Sequence, residues 1–356
     1  MTSAPALLIT RDDALLDDLL RLAAAAGTTL DVAHETTSAL RGWSTASLVL
    51  IGGDAAERVA DQRPPRRGHV HVVTRAPAGD RLFRSALAAG AADVVELPAA
   101  EAWLVEVLTD AADGTPRRAR TIGVLAGSGG AGATTFACAL AQTAARKGPA
   151  VLLDLDPLGP GVDRVVGVDS VPGVRWNALA DSRGRLASRS LRSALPAADG
   201  LAVLTWAMGS PVLLDITLVR EVLSAAQRGH DLVIVDLPRS VDDITAEVVT
   251  RCDLVVLVAD PTVPGVASAG RVVASLRPLN ERVGLVVRDS GSAVPAPDVA
   301  STLGLPLLAE MRRQRRLGEH VDLGLGPVHS RRSPLARAAR STIDALPTLD
   351  DRGIRT

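Results

Sequence analysis

At about 100 to 200 residues per domain, a chain of 356 residues has room for two domains, each with a buried core. Hydrophobic residues make up 47% and the formal charge is only −1, which excludes a disordered chain and a globally basic nucleic-acid binder. Phe83, Phe136 and four tryptophans supply all the Phe, Tyr and Trp rings, too few for the base-stacking platform of a single-strand binder.

Cys138 and Cys252 each sit inside an apolar run and are far apart, so they read as buried free thiols, in keeping with a reducing cytoplasm. The N-terminal MTSAPALLITRDD has no basic segment followed by a long apolar one, and no stretch reaches the ~18 apolar residues of a membrane span. A cytoplasmic protein is expected. Positive charge is carried by arginine, Lys147 being the only lysine.

From Ala6 to about Ala112, short apolar runs alternate with helical patterns: ALLIT, DALLDDLLRLAAAA, LDVA, SLVLI, HVHVV, RLFRSALAAG, DVVEL and WLVEVLTDAA. Buried strands alternating with helices predict a doubly wound α/β sheet, here of five strands. DGTPRRAR, Asp113 to Arg120, has linker composition, which divides the chain into domains 1–112 and 121–350 joined by 113–120. Beyond it TIGVLA, VLLDL, LAVLT, DLVIVDL, DLVVLVAD and VGLVV are strand candidates of a second, larger α/β sheet. Arg175 to Gly200 is an elaboration with helical spacing, and Pro334 to Leu346 is the last predicted helix, with Pro334 suited to its first turn.

The N-terminal order of elements resembles the receiver domains of response regulators, a flavodoxin-like fold. In that family an acidic pair follows strand one, a phosphoryl-accepting aspartate ends strand three, and a lysine precedes a proline after strand five. Asp12 and Asp13 match the pair, but Gly52 stands at the acceptor position and Leu97 precedes Pro98. Asp54 lies two positions on, and that shift takes it off the strand end. The resemblance implies a pseudo-receiver used for protein contacts. The plainer reading of Asp12 and Asp13 is that they cap the first helix.

TIGVLAGSGGAGATTFACALA is a strand, a glycine loop and a helix, the setting a phosphate loop requires: glycines admit phosphates and the helix start supplies N–H donors. It is followed, in order, by VLLDLDPLGPGVDRVVG, DLVIVDLPRS and DLVVLVADPTVPGVASAGRVV. Over roughly residues 120 to 346 this series resembles the deviant Walker-type MinD/ParA ATPases, with Gly127, Ser128, Gly129, Gly130, Ala131, Gly132, Ala133, Thr134 and Thr135 as the loop. The family loop reads approximately KGGxGK[ST][ST]; its two lysine positions here are Ser128 and Ala133.

The resemblance implies ATP with Mg²⁺, both held by this loop. Thr134 would coordinate Mg²⁺, Asp236 is the Walker B carboxylate near it, and Asp156 positions the attacking water with Asp154 beside it. Lys147 lies beyond the loop's helix, about 20 Å away at ~1.5 Å per residue, so Arg239 and Arg288 are the arginines to stand in for lysine. Loss of such charge costs on the order of 100- to 1000-fold in phosphoryl transfer, more than it costs binding. The competing reading is a tight turn that binds nothing, with ordinary strand-end carboxylates.

A receiver-like domain fused to such a domain resembles the TadZ/CpaE group. RWNALADSRGRLASRSLRSALPAADGLAVLTW, LVVRD and LGLPLLAEMRRQRRL look like the actinobacterial septum-site-determining (Ssd) proteins. That implies a homodimer, controlled by weakly bound ATP, which marks a site for septal or for Tad pilus or secretion machinery and is recruited to pole or septum by a partner. One alternative is a slow ATPase with an arginine in place of the lysine. Another is a partition protein binding DNA nonspecifically through MRRQRR, Met311 to Arg316, and HSRRS, His329 to Ser333, both otherwise solvated loops. The end TLDDRGIRT is short and acidic, and the helix at Pro334 is poor in large apolar residues, so neither suits membrane anchoring.

Overall fold

The computed structural model describes residues 5–112, 119–180, 186–209, 212–289, 291 and 294–346. Internal contacts divide the chain into units Met1–Arg117 and Arg118–Thr356.

The first unit runs β1 (Ala6–Ile9), α1 (Asp13–Ala25), β2 (Leu30–Ala33), α2 (Thr36–Trp43), β3 (Val49–Gly52), α3 (Ala56–Asp61), β4 (Val70–Thr74), α4 (Asp80–Ala89), β5 (Asp93–Glu96) and α5 (Glu101–Ala112). Its five strands are parallel in the order β2-β1-β3-β4-β5, the flavodoxin-like arrangement. Side chains alternate between two cores, with Leu8 and Leu50 on one face and Leu7, Ile9 and Ile51 on the other. Asp12 caps α1, its carboxylate accepting from the Ala14 and Leu15 amides. Leu97, at the receiver lysine position, is buried in the core.

Asp54 does not project away from the strand end, as its two-residue offset suggests. Its carboxylate accepts from Thr10 Oγ1 at 2.7 Å and from the Arg11 amide at 2.9 Å. There it fills the space in front of Gly52: a Cβ on Gly52 would lie 2.3 Å from Asp54 Oδ1 and 2.6 Å from Thr10 Oγ1.

The second unit runs β6 (Arg120–Ala126), α6 (Ala133–Ala145), β7 (Ala150–Asp154), α7 (Val162–Val166), α8 (Trp176–Leu179), α9 (Ser188–Ala194), β8 (Ala197–Ala198), β9 (Leu201–Leu204), α10 (Ile216–Gly229), β10 (Leu232–Asp236), α11 (Asp243–Arg251), β11 (Leu254–Ala259), α12 (Val263–Leu276), β12 (Val283–Arg288), α13 (Ala296–Leu303), β13 (Leu307–Met311), α14 (Leu317–Asp322) and α15 (Pro334–Asp344). The sheet order is β13-β12-β11-β6-β10-β7-β9-β8, parallel except for the β8–β9 pair. Strands covered on both faces read as continuous apolar runs: on β10, Val233 and Val235 enter one core, Leu232 and Ile234 the other.

Eight strands replace the six anticipated. β8 has two residues, and β13 is a half-buried edge strand, so neither carries the run of apolar residues that marks a central strand. α15 ends two residues short of Leu346 and buries Leu335, Ala336, Ala338 and Ala339 against the domain, packing on α6 and β13. TLDDRGIRT lies outside the described residues, as does most of the 113–120 linker. Both cysteines are buried and free. Among the described residues no helix is long and apolar enough to cross a membrane.

Candidate nucleotide-binding site

β6 lies at the centre of the larger sheet, between β11 and β10. The chain leaves it toward β7 on one side and returns past it to β11 on the other, so the loop after β6 opens at a topological switch point, where such sheets bind ligands. Gly130 (φ 76°) and Gly132 (φ 93°) take left-handed backbone that turns the chain into α6, and no side chain caps that helix. The first-turn N–H groups are thereby left facing the loop. Gly129 and Gly130 have nothing within 4 Å of an added Cβ, whereas one on Gly127 would lie 2.8 Å from Ala269 Cβ. The front of the loop is thus packing and its tip is an open cradle.

Asp236 and Asp154 end adjacent strands in the same register. Burial, then the negative charge of Asp154, pushes the Asp236 carboxyl well above the ordinary range, and a hydrogen bond from the Thr134 side chain opposes this. Its Oδ2 is buried with no partner, a group that costs free energy unless a cation or proton satisfies it. Burial also pushes Asp154 up, to about 6, although hydrogen bonds from Thr205 and from the amides of Asp156 and Val162 resist it. Thr205 Oγ1 donates to Asp154 Oδ2 at 2.6 Å and Asp156 N to Oδ1 at 3.1 Å. Both Asp154 oxygens are therefore engaged within the protein, one of them tying Asp154 to the Asp156 loop.

A cleft of ≈ 1010 Å³ opens over the loop. Gly129 to Thr135 and Asp156 line it, whereas Gly127, Ser128, Asp154 and Asp236 do not. Gly127, Asp154 and Asp236 are buried. Both arginines anticipated as substitutes for lysine, Arg239 and Arg288, are on the wall, and Arg288 donates to the Gly130 carbonyl at the loop tip. Lys147 pairs instead with Asp344 at 3.6 Å. Two residues that sequence reasoning assigned to a surface cluster, Arg312 and Arg313, also line the cleft. Only the unrecognised strand β13 brings them there.

An unpartnered buried carboxylate oxygen, a threonine bonded to the same carboxylate, uncapped helix N–H groups and open glycines fit a magnesium-bound nucleoside phosphate. Mg²⁺ would neutralise phosphate charge; Asp236 and Thr134 would hold it, and the loop amides would hold the phosphates. The loop from Gly127 to Thr135 itself contributes no cationic side chain.

Residues 9–120 match a family model described as Rv3660c-like, CheY-like N-terminal domain, and residues 117–345 match the ParA model, described as NUBPL iron-transfer P-loop NTPase. Uncharacterized protein Rv3660c of Mycobacterium tuberculosis is 39% identical over 341 residues, covering 94% of this chain and 96% of the relative. Among solved structures, the septum site-determining protein MinD of Pyrococcus horikoshii, complexed with Mg-ADP, aligns with TM-score 0.55 and 19% identity, covering 67% of this chain and all of that one (100%). A ParA family ATPase from Chlorobium tepidum aligns with TM-score 0.55 and 16% identity over 63% of this chain and 98% of that one. At such identities the likeness to the solved structures is one of fold.

Proposed function

The chain belongs to the ParA/MinD-type P-loop NTPases with an Rv3660c-like N-terminal domain, and on that premise we propose that it is a nucleotide-responsive positioning protein. In this reading Mg-ATP binds weakly at Gly127 to Thr135 and is hydrolysed very slowly or not at all. It acts as the ligand that controls a homodimer, and the dimer marks a place for septal or for Tad pilus or secretion machinery.

The observation that carries the reading is the pairing of an intact cradle with absent lysines: Asp236 Oδ2 is unpartnered beside Thr134, while Ala133 and Ser128 hold the lysine positions. Removing transition-state charge at such a site costs rate on the order of 100- to 1000-fold, more than it costs binding. Arg239 and Arg288 on the cleft wall restore part of the charge for binding.

A second copy as the partner is supported by apolar side chains beyond the C-terminal ends of the strands. Leu158 after β7, Met208 after β9 and Val263 after β11 are 88%, 80% and 79% exposed. Each of these side chains would gain from burial against another protein surface. The test is sedimentation of the full chain with and without Mg-ATP, alongside steady-state phosphate release. A nucleotide-dependent shift from monomer to dimer with release near the buffer rate supports the proposal. An unchanged distribution at saturating Mg-ATP counts against dimer control, and phosphate release that vanishes in Asp156→Ala identifies a working ATPase instead.

A further inference from the structure

Beside the phosphate loop, part of the cleft wall is built by Met311, the last residue of β13, and the segment that follows it: Arg312, Arg313, Gln314 and Leu317 also line the cleft. By composition this is a solvated basic loop, but its course is fixed at several points. The Asp289 amide donates to the Met311 carbonyl at 3.0 Å, and Gln314 Nε2 donates to the Pro327 carbonyl at 2.9 Å. Further on, the Val328 amide donates to Gln142 Oε1 at 2.9 Å and Arg146 donates to the Val328 carbonyl at 2.6 Å; Gln142 lies in α6, the helix of the phosphate loop, and Arg146 caps its C-terminus. Gly324 presses so closely on Gly167, after α7, that a Cβ on Gly167 would lie 1.9 Å from the Gly324 carbonyl oxygen. The segment is therefore clamped to the elements that follow β6 and β7.

Charge on this wall is one-sided. Arg239, Arg288, Arg312 and Arg313 face only Asp156 and Asp289 among the lining residues. Among the described residues Arg313 has no carboxylate partner. Arg312 meets Glu310 at 3.8 Å with both side chains well exposed, a contact of little energetic weight. Guanidinium groups held on a fixed backbone lose less freedom on binding than free ones, and their planar forks suit phosphate oxygens.

We propose that Arg312 and Arg313 bind the phosphates of the ligand in this cleft, supplying from the segment after β13 the positive charge that Ala133 and Ser128 do not supply from the loop. The ligand class is a polyphosphate group, carried by a nucleoside di- or triphosphate or present as inorganic tripolyphosphate. This rests on the nucleotide-binding reading above.

The test is calorimetric titration of the full chain with Mg-ATP, with magnesium tripolyphosphate and with adenosine. The variants are Arg312→Ala/Arg313→Ala, Arg315→Ala as a nearby charge outside the cleft wall, and Ala133→Lys in the double-alanine background. Charged hydrogen bonds of this kind correspond to roughly tenfold or more in affinity each. The expected result is at least a tenfold loss for Mg-ATP in the double variant, little change in Arg315→Ala, unchanged ligand-free melting, and recovery on adding Ala133→Lys.

An equal loss for tripolyphosphate supports recognition of the phosphates alone; a loss for Mg-ATP with none for tripolyphosphate supports recognition of phosphates presented by a nucleotide. Wild-type binding that survives in the double variant, or falls no further than in Arg315→Ala, overturns the inference and leaves the nucleotide reading standing. A loss of adenosine binding as large as that of Mg-ATP overturns it too, because contacts to phosphate cannot cause it. Wild-type chain that binds neither Mg-ATP nor tripolyphosphate overturns both.

Discussion

Asp154 and Asp236 face each other across paired strands β7 and β10, two buried carboxyls in one register with no buried cation between them among the described residues. Burial raises the Asp154 carboxyl to about 6 from the ordinary 3.8, so the folded chain holds this proton more tightly than the unfolded chain. The stability gained is complete below the unfolded value and is lost as pH rises to about 6. Urea unfolding between pH 4 and 8 is therefore expected to show Asp154→Asn gaining stability relative to wild type as pH rises, by roughly 1 to 3 kcal/mol at the upper end. Excess Mg-ATP should narrow the difference. A constant offset across the range would show that Asp154 is not the titrating group.

Ala133 begins α6 and lines the cleft, and it is the position that the proposed function reads as a lost phosphate-binding lysine. Ala133→Lys is expected to tighten Mg-ATP binding about tenfold, the worth of one charged hydrogen bond. Calorimetry on the otherwise unchanged chain checks this; weaker binding would mean that the arginines already fill the space a lysine needs.

Two glycines of the same loop should differ in what an added methyl costs. A Cβ on Gly127 meets Ala269 Cβ at 2.8 Å and its Cα at 3.2 Å, so α12 must shift, and Gly127→Ala should cost roughly 1 to 3 kcal/mol. Gly129 has open space around it, and Gly129→Ala should leave stability within about 0.5 kcal/mol. Chemical denaturation of the two variants decides; equal losses would mean that the loop's front is not packed as described.

In the first unit, Gly52 and Asp54 compete for one volume. Gly52→Ala should destabilise the chain, and should do so less when Asp54→Ala has already emptied that space, giving a coupling of about 0.5 to 3 kcal/mol. Additive effects in the double-mutant cycle would separate the two residues.

Much of the fold could be read from sequence because buried parallel strands announce themselves as apolar runs, as LVIVD and LVVLVA do. β13 was hidden because an edge strand with exposed Glu310 and half-buried Leu307 to Ala309 has no such signature. That omission also concealed the place of Arg312 and Arg313, which are about 180 residues from the loop they face and reach it only through sheet order. The loop itself is local and was legible. The saturation of Asp154 by Thr205, 51 residues away, was not, since the pairing exists only once β7 and β9 lie side by side. Asp54 shows the same limit at short range, because counting positions along a strand does not reveal that a side chain folds back into the space beside a glycine.

Nucleotide binding by the lysine-free loop is measured by titrating the full chain with ATP in the presence of Mg²⁺ and repeating the titration with Asp236→Asn. Saturable heat is expected for the wild type, weaker than loops with lysine would give, with a loss of at least roughly tenfold in the variant, because its buried oxygen no longer meets the cation as a charge. No heat at millimolar Mg-ATP, together with an unchanged melting temperature, would contradict it.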